Sequence, residues 1–574
     1  MTKLKSKNKD ERRWINKYKE GVRANLEYPN GSIVDALMDV SRKYPEFFAY
    51  EYFGKKVTYR KFMKQIEDVA KSLKNYGVGK GDRVTICMPS TPEAIASVYA
   101  VNLIGAVASM IHPLSSEKEI ENYINQADSK FMITLDNTLT KVMNIKRNTK
   151  LQKIIVASPD TSMPPLLHYL YKITNYRKKV KIPKDDEDIV PWNTFVGTAK
   201  NFVGVCHDPS GPNDLAVILY SGGTTGTPKG IMLSNLNFNA LAMGAHEMIR
   251  QTIPGNSVLS LLPIFHGFGL AVCIHTPFLS GMKCILIPQF DAKQFGDLIK
   301  QTKPNFIVGV PTLYEALLKQ KFKKRDLECV EAVISGGDIL TPELKRKVDD
   351  FLFQYGSFAN IRPGYGLTEA TAATCLTNDY EYTEEGCIGI PFPDTYFKIV
   401  KIDTFEEANI GEDGEICISG PTVMMGYLNN EEETNQTLRY HNDGRIWLHT
   451  GDVGTMTDDG VVVFKQRIKR IIVSSGYNIY PSYIENIIVS HADVEACTVV
   501  GVPHPYKGQV AKAYIVLKDG VKETGKLKKE IQELCKKNIS KYSLPASYEY
   551  RKSLPKTLVG KVAYTELEKE NEKK

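Results

Sequence analysis

Short uninterrupted apolar runs recur along the chain, at 84–88, 131–135, 154–157, 284–287, 306–310 and 332–335, alternating with stretches whose apolar positions return every three or four residues. An unbroken run suits a strand buried on both faces, and the three-to-four spacing puts one apolar stripe on a helix. The alternation therefore predicts an α/β fold of parallel-rich sheets covered by helices. One helix reads closely: Thr58 is placed to cap it, Phe62, Ile66, Val69 and Leu73 share a face, and Gly77 is placed to end it. The long apolar segment 94–114 is interrupted by Asn102 and His112 and reads as a buried helix and strand, not a membrane span. Past Phe464 the texture changes to a charged stretch, KQRIKR, followed by short strands and Lys-rich helices. We expect a boundary there, with one domain over 1–468 and a smaller one over 469–574.

Two stretches break the pattern. In 166–184, LLHYLYKITNYRKKVKIPK, aromatics and leucines run into a basic cluster, which suits a solvated surface insertion or contact with an anionic membrane surface. The other is 220–235, YSGGTTGTPKGIMLSN, with four glycines, three threonines and two serines. Such a backbone can approach a ligand closely while offering N–H and O–H donors. A disordered linker would have the same composition, but this stretch lies between an apolar run at 215–220 and a helical pattern from 236, which favours a polyphosphate cradle. It is not a Walker loop, because Lys229 follows Pro228 and precedes Gly230, so the neighbouring N–H and the metal-binding hydroxyl are both missing.

Composition adds limits. Hydrophobic residues make up 42% and charged residues 24%, ordinary for a globular protein, and the net charge of +8 suits anionic substrates without requiring nucleic acid. The ten cysteines show no C-x-x-C and no metal-ligand spacing, and the charged N-terminus MTKLKSKNKDERRW has no apolar core, so a reduced cytoplasmic setting is expected.

Four further stretches carry candidate chemistry. YGLTE, from Tyr365 to Glu369, combines an aromatic face, a glycine, a hydroxyl and a carboxylate. WLHTGDVG places Asp452 after a glycine in an expected turn, where a carboxylate can accept two hydrogen bonds from a ribose diol. RIKRIIVSSGYNIYP runs from Arg467 to Pro481, and PKTLVGK sets Lys561 on a tight turn. With the 220–235 loop, PIFHGFG around His266 and GEICISGPTVMMGYLN from Gly414, this order of motifs resembles the adenylate-forming superfamily of acyl-CoA synthetases and firefly-luciferase-like enzymes. The resemblance spans nearly the whole chain, and within it the chain looks most like a fatty acyl-CoA ligase.

The resemblance implies a two-step ligase using ATP, Mg2+ and coenzyme A, on a medium- to long-chain fatty acid; an aryl acid, or transfer to a carrier-protein phosphopantetheine, is the alternative. It implies that Ser221, Gly222, Gly223, Thr224, Thr225, Gly226, Thr227 and Lys229 cradle the phosphates, and that Thr224 and Glu369 hold the metal. Tyr365, with Gly366 and Thr368 beside it, stacks on adenine next to Gly336 and Gly337. Asp452 grips the ribose, with Arg467 near it. His266 stands at the carboxylate end of the acyl site, and Lys561 serves adenylation. Lys469 falls at the hinge of a mobile C-terminal domain that brings Gly476 and Tyr477 to the thiol. Val473 stands where some relatives carry a lysine, so no lysine is assigned to the second step. Small-molecule substrates are the expected partners, with peripheral contact at the inner membrane surface as a further possibility raised by 166–184. The small residues Ala240, Ala242, Gly244 and Ala245 suit either an open acyl tunnel or close helix packing.

Overall fold

The computed structural model describes residues 12–174, 186–220, 228–378, 385–474, 477–541, 543–556 and 562–572. All six apolar runs are strands, each within a residue of its expected limits at either end: Arg83–Cys87, Phe131–Leu135, Lys153–Ala157, Lys283–Leu286, Phe306–Gly309 and Ala332–Ser335. Among the described residues the strands form three sheets, of fourteen, eight and five strands. The largest is parallel through Ser257–Ser260, Lys283–Leu286, Phe306–Gly309, Ala332–Ser335 and Ile361–Tyr365, then continues antiparallel through Cys387–Pro391, Val462–Arg467, Ile446–Met456, Gly414–Ser419 and Tyr396–Val400. The second carries Arg83–Cys87 at its centre between parallel Val107–Met110 and Phe131–Leu135.

The helix Tyr59–Asn75 follows its stripe: Phe62, Ile66, Val69 and Leu73 are buried, the Thr58 hydroxyl accepts from Lys61 N, and Gly77 takes a left-handed φ of 85° just past its end. Segment 94–114 covers all but the first two residues of the wholly buried helix Pro92–Leu103 and the whole strand Val107–Met110. No helix among the described residues is long and apolar enough to cross a membrane.

Two expectations change. Part of the 220–235 stretch is a strand: Gly230–Ser234 returns antiparallel on Leu215–Tyr220, with Tyr220 opposite Gly230, before the helix Asn235–Met248 begins. Asp452 lies in no turn but inside the eleven-residue strand Ile446–Met456. On Asn235–Met248, a Cβ added at Gly244 would lie 3.4 Å from Phe392, and Ala240, Ala242 and Ala245 are buried, which is close packing. Of the 166–184 stretch, helix Pro165–Thr174 buries no residue and exposes Leu166, Tyr169 and Ile173, while 175–185 lies outside the described residues.

The third sheet is built wholly from Ile472 onward and, with helices Pro481–Val489 and Gly525–Asn538, encloses its own core of Ile472, Ile484, Ile488, Val499, Ile515, Leu527 and Ile531. The chain is thus a large sheet-rich N-terminal unit and a smaller α+β C-terminal one.

Candidate active site

Strand Ile361–Tyr365 delivers Tyr365 to its end, and the Tyr365 hydroxyl donates to Asp452 Oδ2 at 2.7 Å. Arg467, opposite Asp452 on the neighbouring strand, brings its Nε to 3.3 Å from Asp452 Oδ1. Burial, then the adjacent Asp452 charge, pushes the Tyr365 hydroxyl well above its ordinary range, so it stays a donor. Asp452 in turn raises Arg467, against a smaller opposing effect of burial. Asp452 itself is 2% exposed, while the Arg467 side chain is 55% exposed.

Gly336 and Gly337 follow strand Ala332–Ser335, parallel to the strand of Tyr365. A Cβ at Gly336 would lie 3.0 Å from the Phe268 ring and 3.6 Å from Gly364 O, so this buried glycine lets that ring pack against the strand end, while the exposed Gly337 takes a φ of 78°. Gly366 has a stricter reason to be glycine, since a Cβ there would lie 1.9 Å from Ala372 O. His266 is exposed, and its Nδ1 accepts from Phe268 N at 3.3 Å. The next residue, Gly267, packs toward Ala372, a Cβ there reaching the Ala372 Cβ at 3.4 Å, so the histidine loop and the loop after Glu369 meet.

Thr368 opens the short helix Thr368–Ala370 that presents Glu369. The Tyr427 hydroxyl donates to Glu369 Oε1 at 3.1 Å, and Lys229 lies over the Tyr427 ring at 5.1 Å while pairing with Glu433. Burial, then the Glu369 charge, raises the Tyr427 hydroxyl and keeps it a donor. Glu369 thus offers the carboxylate oxygen that suits Mg2+, with Lys229 on the other side of Tyr427. Sequence reasoning missed Tyr427 and Glu433: Tyr427 lay inside the quoted Gly414 stretch, but no local pattern marked its partners.

The structure thus brings together Tyr365, Gly366, Thr368, Glu369, Gly336, Gly337, Asp452 and Arg467, with His266 and Lys229 at the margins. Lys469 sits in the short helix Ile468–Arg470, and Tyr477 opens strand Tyr477–Ile479 in the small sheet. Ser221, Gly222, Gly223, Thr224, Thr225, Gly226, Thr227, Gly476 and Lys561 lie outside the described residues. Contrary to the expectation from sequence spacing, one group with metal-ligand chemistry does assemble among the described residues: Glu415, Cys417 and His449, all buried, drawn from two strands.

A family model described as AMP-binding enzyme matches residues 37–428, and a second, AMP-binding enzyme C-terminal domain, matches 483–561. The chain is 33% identical over 556 residues to a protein named long-chain-fatty-acid–CoA ligase from Bacillus subtilis (strain 168), covering 96% of each. It is 26% identical over 520 residues to luciferin 4-monooxygenase from Luciola mingrelica, covering 90% of this chain and 89% of that one. Among solved structures, ATP-bound MatB from Rhodopseudomonas palustris shares the fold at a TM-score of 0.81 and 23% identity, over 94% of this chain and 99% of that one.

Proposed function

The chain belongs to the AMP-binding enzyme family, and from that premise we propose that it is an ATP-dependent acid–CoA ligase acting on a medium- to long-chain fatty acid. In the first step a carboxylate oxygen bonds to the α-phosphorus of ATP and the bond to the bridging oxygen breaks, releasing pyrophosphate. In the second the thiol of coenzyme A attacks the acyl carbon, its proton passes to solvent or base, and AMP leaves.

The observation that carries the reading is the Tyr365–Asp452–Arg467 arrangement beside the Gly336–Gly337 turn. Adenine rests on the Tyr365 face against Gly336 and Gly337. The ribose diol donates to Asp452, taking the place of one of the partners that now cover it; Arg467, being the more exposed, is the one to yield. Ser221, Thr224, Thr225, Thr227 and Lys229 receive the phosphates, for which Lys229 must exchange the Glu433 carboxylate for a phosphate oxygen. Glu369 and Thr224 hold Mg2+, which when bound supplies positive charge to the phosphate oxygens. Lys561 supplies charge where the two anions meet, and His266 orients the carboxylate. The fatty substrate is supported by the relative from Bacillus subtilis, named a long-chain-fatty-acid–CoA ligase.

Pyrophosphate release across a panel of short, medium and long fatty acids and benzoate, with and without coenzyme A, tests the proposal. A maximum on fatty acids, with thioester formed only when the thiol is present, is expected; a maximum on benzoate overturns the substrate assignment. Lys561→Ala should cost adenylation about 3 kcal/mol or more in transition-state stabilisation. Given preformed acyl-adenylate, the same variant should still make thioester.

A further inference from the structure

Strand Gly414–Ser419 pairs with Ile446–Met456 so that Cys417 faces His449 and Glu415 faces Val453. The lone residue Ile416 is therefore opposite three, Thr450, Gly451 and Asp452. The register slips again on the other edge, where Val453 faces Gln466 but Gly454 faces Phe464. A bulge re-aims the side chains it carries, and this one carries Asp452.

Its backbone is held from the Glu415 side. The Thr450 hydroxyl donates to Ile416 O at 2.7 Å and accepts from Asp452 N at 3.1 Å. Gly451, at a φ of 70°, donates its N–H to Glu415 Oε1 at 2.9 Å. The other Glu415 oxygen accepts from His449 Nδ1 at 2.7 Å. Its Nε2 lies 2.9 Å from His441 Nε2, so the ring is held on that side as well. Burial alone would raise the Glu415 carboxyl, but His449 and the Gly451 N–H outweigh it and hold it below the ordinary range. Both oxygens of this buried carboxylate thus have donors, one on the bulge and one on an imidazole that is itself held.

We propose that Glu415 is a positioning residue for Asp452, oriented by His449: by accepting the N–H of the bulge it sets where the Asp452 carboxylate stands, and with it the enzyme's selectivity for a nucleotide bearing a ribose diol. The inference rests on the reading of Asp452 as the ribose grip.

The test compares KM for ATP with KM for 2′,3′-dideoxyATP in the adenylation assay. Glu415→Met keeps the length of the side chain and removes the acceptor. It should shrink the preference for ATP over the dideoxy analogue by about tenfold while leaving kcat with saturating dideoxyATP near the wild-type value. Glu415→Gln, which keeps an oxygen for Gly451 N–H, should restore most of the preference. His449→Phe, which removes only the orienter, should give an intermediate preference and serves where Glu415→Met does not fold. Equal weakening of both nucleotides in these variants overturns the proposal and makes Glu415 a packing residue. Asp452→Asn in the same assay separates the two readings: if it leaves the preference intact, the ribose assignment fails and the inference with it; if it abolishes the preference while the Glu415 and His449 variants keep it, the positioning role alone fails.

Discussion

Arg467 and Arg470, just before and at the end of a single short helix, are held by different parts of the protein. Arg467 pairs with Asp452 on the large sheet, whereas Arg470 pairs with Glu485 on helix Pro481–Val489, donates to Val499 O and lies 5.0 Å over the Tyr564 ring. Only Ile468 and Lys469 intervene. A rotation of the small unit that keeps Arg467 in its strand opposite Asp452 and Arg470 on Glu485 must be absorbed in those two residues, and we therefore expect Lys469→Pro, by fixing φ, to trap one orientation. Adenylate formation should survive while thioester formation from preformed adenylate falls by about tenfold or more. Equal rates in both half-reactions would place the pivot elsewhere.

Gly366→Ala would press a methyl group into the backbone at Ala372, 1.9 Å from its carbonyl oxygen. Backbone cannot rotate away as a side-chain tip can, so the loop bearing Tyr365 and Glu369 must move. A loss of about 1–3 kcal/mol in stability is expected, together with a raised KM for ATP. A variant with wild-type melting and wild-type KM would show the loop to be slack.

Acid should weaken the fold through two buried histidines. His275 Nε2 donates to Asn239 Oδ1 and its Nδ1 accepts from the Tyr99 hydroxyl, both at 3.0 Å. Burial lowers its pKa to about 3, and burial, then Lys398, lowers that of His441 to about 4. Both are neutral when folded and take up a proton in the unfolded chain near the ordinary value of 6.5. Their contribution is therefore complete above that value and declines as pH falls toward 4 and 3, by up to about 1.4 kcal/mol per pH unit for each. Thermal midpoints should fall between about pH 7 and pH 5, and His275→Gln should lower the midpoint at neutral pH yet flatten the slope. An unchanged slope would mean that His275 does not contribute.

Helix Pro165–Thr174 leaves Leu166 70%, Tyr169 63% and Ile173 57% exposed on one face, and Arg177, Lys178, Lys179, Lys181 and Lys184 follow in sequence. Five cations near an anionic surface contribute about 1 kcal/mol each before screening. Salt-sensitive sedimentation with anionic liposomes is expected. It should be lost on changing Arg177, Lys178, Lys179 and Lys181 to glutamate and weakened by Leu166→Glu with Ile173→Glu, with activity on a short soluble acid unchanged. Absence of binding at low salt would leave the segment a solvated insertion.

Local features were readable from sequence alone. The Thr58 cap, its stripe and the buried strands depend on neighbours a few residues away, and they formed as the pattern requires. Tyr365, Glu369, Asp452 and Arg467 were named singly, since each sits in a motif. Their pairing was not legible: Tyr365 meets Asp452 across 87 residues, and Lys229 meets Glu433 across 204. The Glu415–His449 contact depends on a slip in strand register, which no spacing along the chain encodes. Strand Gly230–Ser234 escaped notice because it is short and begins inside a glycine-rich stretch.

That strand has a consequence for the residues before it. Tyr220 and Gly230 are partners in the sheet, so the segment joining them starts and ends at points whose separation is already fixed by folding. Closing a longer segment between the same points costs little, about 0.6 kcal/mol for each doubling of length. The fold should therefore accept an inserted pair of glycines there at little cost, whereas the phosphate contacts we propose for Ser221, Thr224, Thr225 and Thr227 would be lost. Between these two strands, length is nearly a free parameter for folding and, on the proposed function, a fixed one for catalysis.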